Sequence, residues 1–511
     1  MTRRLALTAC AIALVALSGP RPLALGTSDA IPTSALRTAD GAPRTDLRAD
    51  LDEIFSDPVL VRALVGIRVE SLRDGKIIYQ RNSEKLVMPA SNMKLFTLAA
   101  AVDRLGWDYR WETQLETAGK IENGALRGDL WVIGSGDPTI GAKDNGFAPL
   151  FVEWADALVK AGIRRVDGRI IGDDDAFDDT GVGPGWAWDY LDADYAAPSG
   201  ALSLNENVVT LRLSPGAYPN DPVRIASFPA GHGFEIVNGL ISGEPGSPPS
   251  ISISRRAGSM HLDVSGSIPA NGPVVTRTTT VENPTKVFVE AFKLALASRG
   301  IVVRDGAEDG DDVMRVMMVE DRRVLAKHLS APLAEIAGGF LKPSQNFYGE
   351  MILKTVGRLG GEGGTTQVGT TPAGRKAALE SLTKWGIPAD GLVMYDGSGL
   401  SRYNYVTADG VVTLLKKVWG DDKLRGPFVA ALPVGGHDGT LSNRMKDSEL
   451  DRRVQAKTGS IANVRSLSGF LETTSGERLV FSMIANHFTA PASQIDGVVE
   501  KALTRLLKYP Q

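Results

Sequence analysis

The chain has 511 residues, 43% of them apolar and 23% charged, an ordinary globular balance that rules out a largely disordered protein. A formal net charge of −4 argues against a general nucleic-acid binder. The single cysteine rules out an intrachain disulfide and a cysteine-built metal site.

The chain opens on a basic stretch, Met1-Thr2-Arg3-Arg4, followed by an apolar run from Leu5 to Leu17. That pattern predicts an export signal over residues 1–30, with small-residue cleavage sites around Ala24 to Gly26 and at Ala30. A periplasmic or secreted protein follows. Leu7-Thr8-Ala9-Cys10 resembles a lipoprotein box, but only about five apolar residues precede the cysteine, so lipidation is the lesser expectation. No other segment approaches the ~18 continuous apolar residues of a membrane span. Residues 31–47 are polar, with Pro32 and Pro43, and read as a linker.

Val65 to Glu70 alternates like a half-buried strand, and Asp74-Gly75 turns it into Lys76 to Tyr79, a predicted hairpin. Pro89 then stops the extended run, and the Ala- and Leu-rich stretch to Val102 predicts a buried helix ending near Gly106. From 113 to 278 short alternating runs are broken by Gly, Pro, Asp and Ser, with one helical patch at Val152 to Ala161. Helix signals return at Val287 to Ala297, Leu333 to Leu341 and Phe347 to Val356. We therefore expect a β-rich insertion, residues 113–278, within a domain built from 48–112 and 279–511. The chain closes on three strands and an amphipathic helix carrying Ile495, Val498, Val499, Ala502, Leu503 and Leu506. The expected fold class is α/β, an α+β sandwich with a mostly antiparallel sheet flanked by helices.

Three short motifs occur in order: Ser91-x-x-Lys94, Ser344-x-Asn346 and Lys457-Thr458-Gly459. Chance alone supplies roughly one or two S-x-x-K matches in such a chain, and Ser381-x-x-Lys384 is a rival, as Ser203-x-Asn205 is for the second motif. Context favours Ser91, placed at a predicted helix start where backbone N–H groups have no intrahelical partner. Ser381 sits toward a helix C-terminus, where the dipole has the wrong sign. On a helix, residues i and i+3 share a face, so Lys94 stands beside the Ser91 hydroxyl. A serine hydroxyl needs a base, and a lysine is one only when neutral. Burial and a nearby cation, Lys457, would both lower its pKa. Lys457 would also attract a substrate carboxylate, and the strand after it offers N–H groups to an oxyanion.

The three ordered motifs resemble the serine penicillin-recognising enzymes. The long gap between the first two is similar to that of class C low-molecular-mass penicillin-binding proteins, the D-alanyl-D-alanine carboxypeptidase/endopeptidase family. Flanking stretches agree: Gly134 to Pro138, Pro184 to Trp188, Ala201 to Asn207, Asp396 to Arg402 and Gly436 to Leu441. The resemblance implies a penicillin-recognising serine transpeptidase-like fold carrying a large β-rich insertion. It implies a serine-type D-Ala-D-Ala carboxypeptidase, with DD-endopeptidase action left open beside it. Ser91 would be acylated, with Lys94 as its base. Ser344 would relay a proton to the leaving amine, and Asn346 would hold the substrate amide and Lys94. Lys457 and Thr458 of the K-T-G motif, which Gly459 completes, would bind the terminal carboxylate. The N–H groups of Ser91 and Ser460 would form the oxyanion hole. Arg402 would contact the peptide side chain, and Asp173 or Asp174 would supply a matching acid from the insertion. The partners implied are peptidoglycan peptides, with β-lactam antibiotics as covalent inhibitors and no nucleic acid; no metal or organic cofactor is implied. A β-lactamase using the same serine and a non-catalytic cell-wall scaffold are the alternatives.

Other features have plainer readings. Asp173 to Asp175 lacks the spacing and glycine of an EF-hand loop, so a solvated acidic loop is expected. No G-x-S-x-G elbow accompanies His437-Asp438, so a His-based triad is not expected, and His437 reads as structural or cleft-lining. Trp186, Trp188 and Tyr190 alternate like a buried strand face, with a sugar-stacking platform as the other reading.

Overall fold

The computed structural model describes residues 46–141, 146–255, 258–313, 321–360 and 368–510. The expected signal segment and most of the expected linker lie outside these residues. Asp46 caps the first helix, Leu47–Ile54, by accepting the Arg48 N–H.

A five-stranded antiparallel sheet forms the centre, in the order Ile77–Arg81, Leu64–Ser71, Arg478–Asn486, Val464–Glu472, Val454–Ile461. The predicted hairpin and the three closing strands thus meet in one sheet, although they come from opposite ends of the chain. Alternation along Arg478–Asn486 sends Val480 and Ile484 to one face and Leu479, Phe481 and Met483 to the other. The first face packs on helices Met93–Leu105, Leu333–Leu341, Asn346–Leu359 and Ala408–Trp419, the second on Leu47–Ile54 and Ala492–Leu506. This is the α/β sandwich anticipated from the sequence.

The remainder forms two further cores. One buries helices Pro149–Lys160 and Pro284–Ser298 among short strands, with the Phe292 ring against both Phe151 and Trp154. The other lies between two three-stranded sheets within 208–280. The boundary expected at 278 does not coincide with the strand pairing. Val302–Val303 and Ala307–Asp309 pair with Arg165–Val166 and Ile170–Asp173, and Arg323–Leu329 pairs with Glu112–Thr117. Helix Pro284–Ser298, whose pattern marked a return to the flanking domain, instead buries Phe288 and Phe292 in the first inserted core. An amphipathic pattern fixes which face of a helix is buried, not which core receives it.

The Trp186–Tyr190 alternation is not a strand. Trp188–Tyr190 is a single 3₁₀ turn and Trp188 is 85% exposed. Among the described residues no helix is long and apolar enough to cross a membrane.

Candidate active site

Ser91 lies in a 3₁₀ turn, Ala90–Asn92, that runs directly into helix Met93–Leu105. Ala90 takes a φ of 47°, a left-handed conformation that costs an alanine about 1 kcal/mol or more. The surrounding bonds hold it there. The Met88 N–H donates to Asn486 Oδ1 at 2.7 Å, Ser466 Oγ donates to the Pro89 carbonyl at 2.7 Å, and Asn92 Nδ2 donates to Ser468 Oγ at 2.6 Å. Gly459 is required at its position, since a Cβ there would come within 2.2 Å of Ser466 Oγ and 3.0 Å of the Ser91 nitrogen. The K-T-G strand therefore passes against the Ser91 turn backbone to backbone.

The Lys94 side chain is fully buried one helical turn below. Its Nζ lies 2.9 Å from Ser91 Oγ, 2.6 Å from Asn346 Oδ1 and 2.7 Å from the Ser398 carbonyl oxygen. Burial pulls the amine down to about 7, against the opposing effect of the Asp396 and Glu350 carboxyl groups. The expected cation effect of Lys457 is not what sets Lys94. Lys457 is itself held well below the usual lysine range, by burial first and by Lys94 second.

Ser344, at a φ of 67°, precedes helix Asn346–Leu359, so Asn346 opens the helix facing Lys94. Lys457 Nζ donates to Ser344 Oγ at 2.8 Å and to the Thr458 carbonyl at 2.9 Å. Asn346 Nδ2 donates to the Tyr195 carbonyl at 2.7 Å. The three motifs thus converge.

Above them opens a pocket of about 360 Å³ lined by Ser91, Ser344, Asn346, Thr440, Thr458 and Ser460, with Tyr190, Tyr195, Leu400, Ile461 and Ala462 as its apolar side. Both lysines are buried beneath this lining, and the hydroxyls of Thr440, Thr458 and Ser460 face the opening. Thr440 Oγ1 and Thr458 Oγ1 are 2.6 Å apart. Arg402 stands beside the pocket and donates to the Ala462 carbonyl at 3.2 Å. Asp174 is not brought to it. That residue lines a separate cavity of about 810 Å³ and accepts from Thr285 Oγ1 at 2.6 Å, and burial raises its carboxyl to about 7. It is half-buried rather than solvated because it directly follows strand Ile170–Asp173, which packs against helix Pro284–Ser298. Asp174, Asp309 and Asp311 lie within 4.8 Å of one another, but Asp309 already accepts from Asn283 Nδ2 at 2.7 Å.

The rival motifs have structural partners. Ser381 accepts from Arg104 Nε at 2.6 Å, and Ser203 donates to the Gly200 carbonyl. His437 is exposed and absent from the pocket, while Asp438 accepts from Lys342 Nζ at 2.6 Å. Sequence reasoning missed Tyr195, Glu350 and Asp396. Glu350 was findable, because it follows Asn346 by four residues on a predicted helix and shares its face.

The sequence profile of the D-Ala-D-Ala carboxypeptidase 3 (S13) family matches residues 47–505. The chain belongs to this family. A D-alanyl-D-alanine carboxypeptidase of Actinomadura sp. is 35% identical over 489 residues, covering 93% of this chain and 87% of that protein. D-alanyl-D-alanine carboxypeptidase DacB of Haemophilus influenzae is 27% identical over 430 residues, covering 83% and 86% respectively. The crystal structure of penicillin-binding protein 4 from Haemophilus influenzae superposes with a TM-score of 0.77 at 24% identity, over 90% of this chain and 100% of that one. With 90% of this chain covered, the likeness to penicillin-binding protein 4 extends over the inserted layers as well as the central sheet.

Proposed function

We propose that this S13 protein is an extracytoplasmic serine D-Ala-D-Ala carboxypeptidase acting on peptidoglycan stem peptides. The observation that carries the reading is the set of three oxygen atoms around Lys94 Nζ. A neutral amine has two N–H groups and one lone pair. Asn346 Oδ1 and the Ser398 carbonyl can only accept, so they take the two protons and turn the lone pair toward Ser91 Oγ.

In the proposed step Lys94 removes the Ser91 proton as Oγ attacks the penultimate D-alanine carbonyl. The N–H groups of Ser91 and Ser460 would receive the oxyanion. The amide C–N bond breaks and the departing D-alanine amine takes the Ser344 proton, which Lys457 replaces. The proton gained by Lys94 balances the one lost by Lys457. Once it has passed back, Lys94 deprotonates water as the water oxygen attacks the acyl carbonyl; the ester bond to Ser91 Oγ breaks and Oγ takes that proton from Lys94. The Thr440, Thr458 and Ser460 hydroxyls would hold the terminal carboxylate. Hydrolysis of a crosslink ending on the same D-alanine carbonyl needs only that the longer leaving group find room at the pocket mouth.

A β-lactam would acylate Ser91 by the same chemistry. Among the described residues no carboxylate lines the pocket, so it offers no acid beside the ester to activate a fast-deacylating water. A long-lived penicilloyl adduct is therefore expected, in contrast to a β-lactamase. Intact-mass measurement after penicillin treatment, with peptide mapping, tests the reading. One adduct on Ser91 together with D-alanine release from a D-Ala-D-Ala peptide is expected; an adduct elsewhere, or none, overturns it.

A further inference from the structure

Glu350 is a buried acid for which the proposed reaction has no use. It is 3% exposed and lies on helix Asn346–Leu359, four residues after Asn346 and so on the same face. Its two carboxyl oxygens accept the N–H groups of Gly397, at 3.1 Å, and Ser398, at 2.9 Å. The carbonyl of that same Ser398 accepts from Lys94 Nζ. The helix therefore offers Lys94 two acceptors, one directly through Asn346 and one relayed through the backbone at 397–398.

The close approach this needs is built in. A Cβ on Gly397 would lie 2.1 Å from the Gly349 carbonyl oxygen, and one on Gly349 would lie 2.9 Å from the Gly397 oxygen. Two glycines thus let helix and loop meet backbone to backbone, within reach of a single carboxyl group. Thr97 Oγ1 holds the loop from the other side, donating to the Gly397 carbonyl at 2.7 Å. Leaving a carboxyl group in an apolar interior is costly unless its bonds are made, so its presence there marks a specific task.

We propose that Glu350 is a positioning residue that fixes the Ser398 carbonyl as the second proton acceptor of Lys94, and so keeps the amine lone pair aimed at Ser91. This goes beyond the acyl-enzyme reading while resting on it. The charged or titratable groups around Lys94 are Glu350 from its helix, Asp396 from the loop and Lys457 from the K-T-G strand. Burial, with Asp396 beside it, raises the Glu350 carboxyl to about 8, so over the acid limb it is protonated and acts on Lys94 through the backbone it holds. Loss of a fixed Ser398 carbonyl would disfavour the ammonium form of Lys94 and push the acid limb of the acylation rate toward lower pH.

The test compares wild type with Glu350→Gln and with Glu350→Asp, using labelled penicillin. The total adduct at long times counts folded sites, and the rate constant reads the base. The expected result for Glu350→Gln is a total adduct near one per chain, an acylation rate reduced ~10-fold or more, and an acid limb displaced to lower pH. Glu350→Asp, too short to span both N–H groups, should lose rate with a displacement in the same direction. A Glu350→Gln rate within twofold of wild type overturns the proposal. So does a reduced total adduct with an unchanged rate per site, the mark of a purely structural role. A wild-type chain that forms no adduct would instead overturn the acyl-enzyme reading itself.

Discussion

The central sheet and the inserted layers meet the pocket in different ways. From the sandwich come the groups proposed for the chemistry, Ser91, Lys94, Ser344, Asn346 and Lys457, each held by bonds to its own domain. From the inserted part come the side chains of Tyr190 and Tyr195 on the wall, the Tyr195 carbonyl and a set of struts. Trp186 Nε1 donates to Asp396 at 2.9 Å, Ser401 Oγ donates to the Pro184 carbonyl at 2.6 Å, Gln345 bonds Glu206, and buried Lys354 pairs with Asp178 at 2.7 Å. One region supplies the groups proposed to react and the other braces them. The inserted segment 177–206 is thus part of the site's wall, not an appendage.

That division can be broken or sharpened by substitution. The largest effect belongs to Ser91→Ala, which should abolish the penicillin adduct and cut D-alanine release by ~10³-fold or more while the fold persists; intact mass and peptide turnover read both. Lys94→Met should slow acylation ~10²- to 10⁴-fold. In wild type the base must be neutral, and Lys94 is held at about 7. The rate of acylation should therefore rise with pH up to about 7 and level off above it, a limb that Lys94→Met should lose. A smaller effect, on stability, is expected at the struts. Lys354→Met strands Asp178 and should cost about 1–3 kcal/mol, read by denaturant unfolding. Trp186→Phe removes one donor to Asp396, whose carboxylate keeps its bonds to the Gly399 and Ser401 N–H groups, so about 1 kcal/mol is expected. Arg127→Ala, in an exposed ion pair with Asp167 on the inserted layers, should leave Tm and turnover unchanged. A catalytic loss from Trp186→Phe as deep as that from Lys94→Met would erase the distinction between reacting and bracing regions.

Much of the site was legible in the sequence because short motifs carry local geometry. Ser91 and Lys94 share a helical face whatever surrounds them, and Asn346 opens a helix that its periodicity announces. What stayed hidden depends on tertiary placement. The resemblance offered Asp173 or Asp174 as a pocket acid, yet Asp174, just after strand Ile170–Asp173, accepts from Thr285. Helix Pro284–Ser298 was read correctly as a helix and assigned to the wrong core, since its apolar stripe is compatible with either. The Trp186–Tyr190 alternation has the period of a strand over too few residues to be one. The depth of Lys457 below the pocket was not legible either, because it is set by strands remote in sequence.

The stitching around Ser91 also bears on how the protein comes apart. The turn at 88–92 is bonded to Asn486, Ser466 and Ser468, and Ser468 Oγ continues to Ser482 Oγ at 2.9 Å. It is thereby tied to two inner strands of the central sheet. Local fraying there would have to break those strands' cross-links as well. Amide protons of residues 92–96 should consequently exchange with deuterium only through global opening, in the slowest class of the molecule, while those of the 3₁₀ turn around Trp188 exchange early.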